Sequence, residues 1–318
     1  PAGESERPPQ KFESRRRARR TARTLDEMRT LLVIAALATG AAPAAAAAAP
    51  ALSLSDPQLD DRGPGDYLYP IHPYFFRRGV FDLTRFEVRD GGKDWIFELT
   101  VELETPRPVE TRATLARPIR FEQDVFFQNF DIYIRTPGAE TTTDDAKTQI
   151  HRDAIPGRNV RFAPGHGWNH AVVVSPFPFQ VRTLIRDWAG VEATIVPANV
   201  QRIGRRFITR VPKSELGPSY PAEWRLAVVV TGAVPLVQGY VRDDDLNPNA
   251  LTMPVRPNPG PEFFGGADLT RFNPAIIDML APTPEAQYEM LSADTPQRRT
   301  QAVELRLWSP SDWDDTRP

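Results

Sequence analysis

An all-β antiparallel sandwich with a few short helices is the architecture expected for this chain, on three observations. Its 318 residues include 33 prolines, which interrupt helices and accumulate in turn-rich β proteins. Short runs of alternating or wholly apolar residues recur between glycine and proline breakers, without regular alternation of strand and helix. Hydrophobic residues make up 41% of the chain, enough for a substantial core in one large domain or two small ones. Cysteine is absent, which removes disulfides, thiolate zinc sites and cysteine nucleophiles from consideration.

The first fifty residues do not read as part of that fold. Met28 and Arg29 precede LLVIAALATGAAPAAAAAAPA, which combines a positive flank, an apolar run and small residues ending at Ala51. Residues 28–51 therefore read as a secretory signal peptide, cleaved before about Leu52. The bland alternative is an alanine-rich linker or membrane anchor, although the apolar core is short for a span. Upstream, residues 1–27 carry RRRARR. Taken alone that run suggests nucleic acid, but ahead of a signal peptide it reads as an over-extended reading frame or a long charged n-region, disordered or not translated. Residues 1–51 hold 9 basic and 5 acidic side chains, so the remaining 30 basic and 36 acidic ones give the expected mature domain a formal charge of −6. Such a domain suits a phosphate backbone poorly. No second apolar run of membrane length follows, and the mature protein is expected to be soluble and secreted, in the periplasm or outside the cell.

The sandwich is expected over residues 52–297. It opens with DPQLDDRGPGDYLYP (56–70), whose prolines and glycines exclude a helix or central strand and make it a loop. GVFDLTRFEVRDGGKDWIFELTVEL then reads as a hairpin: Phe81, Leu83, Phe86 and Val88 precede a turn at Asp90-Gly91-Gly92, and Trp95, Phe97, Leu99 and Val101 alternate with polar residues after it. Further strands are expected at 126–136, 170–175, 191–197, 206–212 and 224–232. The last of these, WRLAVVVTG, is apolar on both faces and so central. FNPAIIDMLAP and PTPEAQYEMLS carry short helix signals, the second with Thr283 ahead of Pro284 and Glu285. Residues 298–318 read as a frayed extension.

The ordered motifs DPxxDDxGPGxYxYP, FxxGVFDLTRFEV, IPGRNV, GWNHAVVVS, VPKSELG and FFGG followed by AIIDML, over about residues 53–292, resemble the C-terminal domain family of glucodextranase. That module also accompanies some bacterial pullulanases and belongs to the DOMON-like β-sandwiches, related in fold to family 9 carbohydrate-binding modules. The resemblance implies a non-catalytic, secreted module that binds carbohydrate, an α-glucan or a cell-envelope polysaccharide. The alternative is a structural module that docks a separate glycoside hydrolase or cell-surface protein. No catalytic domain precedes the module here, so a stand-alone one is the expectation.

Four aspartates of the opening loop, Asp56, Asp60, Asp61 and Asp66, are candidate ligands for calcium, a hard cation that accepts oxygen donors from irregular loops. Calcium in related sandwich modules adds to that expectation. Otherwise the aspartates cap turns while Tyr67 and Tyr69 form a lid on the sandwich. The second acidic loop, with Asp243, Asp245, Asn247 and Asn249, reads as a solvated turn because Pro248 stands where a calcium loop needs glycine. His166 and His170 have the spacing of a zinc pair, but Gly165 and Gly167 oppose the helix that pairing needs. Haem is the reading that Met253, Met279 and Met290 allow in DOMON-like domains, and no spacing pairs them. No GxSxG motif, phosphate loop, dinucleotide fingerprint or distinguished carboxylate pair points to an enzyme. For stacking on sugar rings, Trp168 and Trp188 sit in the turn-like contexts HGWNH and RDWAG, with Tyr67 and Tyr69 as further candidates, whereas Trp95 and Trp224 fall in register with core residues.

Overall fold

The computed structural model describes residues 49–72, 75–106, 121–140, 148–234, 251–267, 273–292 and 301–316. The expected signal peptide and basic leader, apart from residues 49–51, and the second acidic loop at 243–249 lie outside the described residues.

Two five-stranded sheets face each other. The first has the order β1 (Leu52–Ser55), β2 (Leu83–Asp90), β3 (Asp94–Val101), β9 (Arg206–Pro212), β8 (Val200–Ile203). The second runs β11 (Asp278–Met279), β10 (Arg225–Gly232), β4 (Gln128–Arg135), β6 (His170–Val174), β7 (Thr194–Ile195). Pairing within both is antiparallel except for β6 with β7. The expected sandwich is therefore observed, and β10 is interior to its sheet with every residue after Arg225 buried.

The hairpin forms where its pattern places it, with Asp90 opposite Trp95 across the turn. Its sequence holds one irregularity. Phe81 and Leu83 are odd-numbered, Phe86 and Val88 even-numbered, yet all four are buried in one core. A register shift between Leu83 and Arg85 reconciles them, because one extra residue on a strand exchanges the faces of everything beyond it.

Alternation on the second sheet creates two cores. Phe130, Ile132 and Ile134 of β4 and Leu226, Val228 and Val230 of β10 face the first sheet. Tyr133, Ala227 and Val229 face the other way, onto a covering layer. That layer includes α1 (Pro178–Ile185), α3 (Pro284–Leu291) and a parallel ribbon of β5 (Val160–Phe162) with β12 (Val303–Leu305). A one-turn helix, α2 (Lys213–Leu216), follows β9. Both faces of β6 and β10 are buried, which is why these two strands read as nearly continuous apolar runs.

Two expectations are corrected. FNPAIIDMLAP is not helical: its run from Asn273 to Ala281 is buried throughout rather than on one face, and Asp278–Met279 pair with β10 instead. The frayed extension is also not observed, since Val303 and Leu305 are fully buried and the Trp313 indole donates 2.6 Å to the Ser55 carbonyl. The second helix signal holds, with Thr283 Oγ1 accepting from the Ala286 amide at 3.2 Å.

Candidate functional site

The opening loop folds back across one end of the sandwich and carries its carboxylates inward. Leu59 adopts a left-handed backbone conformation with φ 64°, costly for a branched side chain and a mark of a constrained segment. Its amide donates 2.6 Å to Asp82 Oδ2. Next to it Asp60 is 1% exposed, with Asp61 and Asp82 at 0% and Asp56 at 7%. Asp278, at the start of β11 in the second sheet, completes the group. Carboxylate oxygens of Asp56, Asp60 and Asp278 all lie within 4.8 Å of one another.

Backbone amides fix these carboxylates without neutralising them. Ala281 N donates to Asp56 at 2.7 Å, Leu83 N to Asp278 at 2.6 Å and Gly79 N to Asp61 at 2.8 Å. The Tyr69 hydroxyl donates to Asp61 as well. Gln287 of α3 clips the loop from behind, donating 2.6 Å to the Asp60 carbonyl and accepting from the Met279 amide at 2.7 Å. These contacts tie β1, the start of β2, β11 and α3 to one point.

Charge is not balanced there. Arg78, more than half exposed, stands 3.8 Å from Asp61; among the described residues no cation pairs with Asp56, Asp60, Asp82 or Asp278. Buried oxygens of Asp56, Asp60, Asp61 and Asp82 have no hydrogen-bond donor. Burial pushes the Asp60 and Asp82 carboxyls up to about 7. Burial, followed by the mutual repulsion of Asp56, Asp60 and Asp278, holds Asp56 and Asp278 well above the ordinary carboxylate range. A dry, donor-poor nest of acidic oxygens on irregular backbone has the chemistry of a hard-cation site.

The expected ligands are therefore only partly those brought together. Asp56 and Asp60 belong to the group that Asp278 closes, Asp61 is buried next to Asp60 outside that group of three, and Asp66 is exposed and outside it. Asp82 and Asp278 were missed. Each had a signal, a lone carboxylate inside an apolar run (VFDL and IIDML), where an acid is rarely buried without a partner.

The expected sugar-stacking residues are redistributed more strongly. Trp168 is fully buried and presents no face to solvent. Gly167 permits this placement: a Cβ there would lie 2.6 Å from the His151 carbonyl oxygen, and the bare backbone lets Trp168 and His151 exchange hydrogen bonds of 2.9 and 2.7 Å. The indole then packs against Tyr133 in the outer core. Tyr67 is also buried, its hydroxyl donating 3.0 Å to the Pro274 carbonyl. Tyr69 is half-buried and committed to the acidic centre. Trp188, half-buried beside Trp168, reaches the surface. Trp95 and Trp224 are core residues, as expected. His166 lies in a turn and His170 opens β6, so they share no helix face.

Among the described residues no helix is long and apolar enough to cross a membrane. No curated protein matches the chain. A family model described as the C-terminal, SLH-like binding module of glucodextranase matches residues 51–305, a span that takes in every strand of both sheets and the covering ribbon. The chain belongs to this family of glucodextranase C-terminal binding modules.

Proposed function

We propose that the protein is a secreted, non-catalytic module that binds polysaccharide, an α-glucan or a glycan of the cell envelope, and that a calcium ion in the acidic centre locks the end of its sandwich. The family match over residues 51–305 carries the binding part of this reading. The acids of the buried centre are 0–7% exposed, so they do not themselves flank a glycosidic bond. Calcium would be held by Asp56, Asp60 and Asp278, with Asp61 and Asp82 adjoining, and it would supply the positive charge that the protein leaves out. Of the expected aromatics, Trp188, half-buried at the surface, is our candidate for ligand contact.

Affinity electrophoresis of the protein through gels containing dextran, soluble starch or envelope polysaccharide tests the binding reading. Retardation in at least one gel is expected. Free migration in all of them, together with co-purification of a glycoside hydrolase or envelope protein, would replace it with the docking alternative.

A further inference from the structure

An open cleft of about 490 Å³ lies at one end of the two interior strands β4 and β10 of the second sheet, lined by Arg135, Thr136, Gly138, Gly165, Glu223 and Arg225 among others. Arg135 ends β4 and Arg225 begins β10, and the two are direct cross-strand partners. Like charges facing each other across an antiparallel pair are destabilising unless a counter-charge sits between them. The first sheet shows the compensated case. Glu87 and Glu98 are cross-strand partners there, and Arg89 reaches Glu87 at 2.7 Å while Arg206 reaches Glu98 at 3.1 Å.

The arginine pair has no such compensation among the described residues. Arg135 Nη1 donates 2.9 Å to the Gly165 carbonyl, and Arg225 Nη2 donates 3.0 Å to His166 Nδ1, both neutral acceptors. His166 Nδ1 also accepts from the Leu307 amide at 3.2 Å, so this nitrogen carries no proton. Glu223 on the cleft wall makes no ion pair with either arginine and instead accepts from the Tyr220 amide at 3.0 Å. The wall is firm: Asn169 accepts from the Thr136 amide and donates to its hydroxyl, both at 2.9 Å. The mouth is open, since a Cβ at Gly138 or Gly165 would meet nothing within 4 Å.

We infer that this cleft takes an acid group, a carboxylate or a phosphate, carried by the polysaccharide, so that the ligand is an anionic envelope glycan and not a neutral α-glucan. Paired guanidinium groups present planar forks of donors that match such oxyanions. The inference rests on the polysaccharide-binding reading and narrows its ligand.

The test runs the whole protein through gels containing polygalacturonate, a phosphate-bearing teichoic acid, or dextran, at low and high salt. Retardation by polygalacturonate or teichoic acid is expected, weakening with salt and at least about ten-fold in Arg135→Gln or Arg225→Gln, the loss of one charged hydrogen-bonded contact. The polymer that responds distinguishes carboxylate from phosphate. Arg225 also anchors His166, so Arg135→Gln provides the variant with less structural consequence, and melting curves establish that both are folded. Equal retardation of the wild type and both folded variants by an anionic polymer would overturn the cleft. Retardation by dextran alone would overturn the anionic ligand and leave polysaccharide binding intact. If no polymer retards the protein, the broader reading fails and this one with it.

Discussion

Two buried acidic places in this molecule are built on opposite principles. In the outer core, Asp131 receives a two-pronged contact from Arg158, Nε to Oδ2 at 2.7 Å and Nη2 to Oδ1 at 3.0 Å, and Thr252 takes a third guanidinium bond at 2.6 Å. At the end of the sandwich, Asp56, Asp60, Asp61, Asp82 and Asp278 gather with backbone amides, one tyrosine and a peripheral arginine for company. The first place is complete in the polypeptide. The second has several of its oxygens held by backbone amides and its charge uncompensated among the described residues, which is the basis of the cation proposed above.

Opposite responses to mutation should expose that difference. Arg158→Met strands a buried Asp131 and should cost about 3–5 kcal/mol of folding free energy in urea unfolding. A loss under about 1 kcal/mol would mean that the pair is not the anchor described. Asp60→Asn should do the reverse in chelator, raising the melting temperature by removing a repulsive charge from the centre. Destabilisation by this substitution without calcium would show that the carboxylates are balanced in some other way. Trp168→Ala, in the same outer core as Arg158, should cost about 3–5 kcal/mol through the cavity it leaves. A folded variant of unchanged stability would return Trp168 to the surface.

Calcium sharpens the comparison next. At a hundred-fold excess over its Kd, an ion that binds only the native state adds about 2.7 kcal/mol, and differential scanning calorimetry should show this gain in the wild type. The gain should vanish in Asp60→Asn and Asp278→Asn and persist in Arg158→Met, provided that variant folds. Identical wild-type thermograms in chelator and in calcium would leave the centre without its cation.

Without calcium, pH should act on the carboxylate centre at the end of the sandwich. Asp60 and Asp82 have folded-state values of about 7, against about 3.9 for an unfolded aspartate. The native state thus holds more protons between those limits. Stability in chelator should fall as pH rises from about 4 to about 7, by up to about 1.4 kcal/mol per pH unit for each proton released. Saturating calcium should flatten or reverse the trend by holding the carboxylates ionised. Stability that climbs over this interval in chelator would contradict the burial of uncompensated acids. The smallest effect belongs to Asp66→Ala, which should change stability by less than about 0.5 kcal/mol and leave the calcium response intact.

Local pattern carried a good part of the fold. The alternation through Trp95, Phe97, Leu99 and Val101, the all-apolar run of β10 and the Thr283 cap are properties of neighbouring residues, and neighbours are what a sequence displays. It was enough to expect an antiparallel sandwich and to send Trp95 and Trp224 to the core. What long-range closure decides was not legible. Asp278 meets Asp56 only because β11 pairs with β10 and returns beside the end of β1, across more than two hundred residues. Arg135 faces Arg225 through the β4–β10 register alone. Trp168 turned inward because the second sheet has a covered outer face, and the tail forms part of that cover because β12 finds β5. Residue type and spacing set which groups can be strand, cap or ligand. Which of them share a buried volume, and so whether their charges cancel or accumulate, depends on distances that exist only after the sheets have closed.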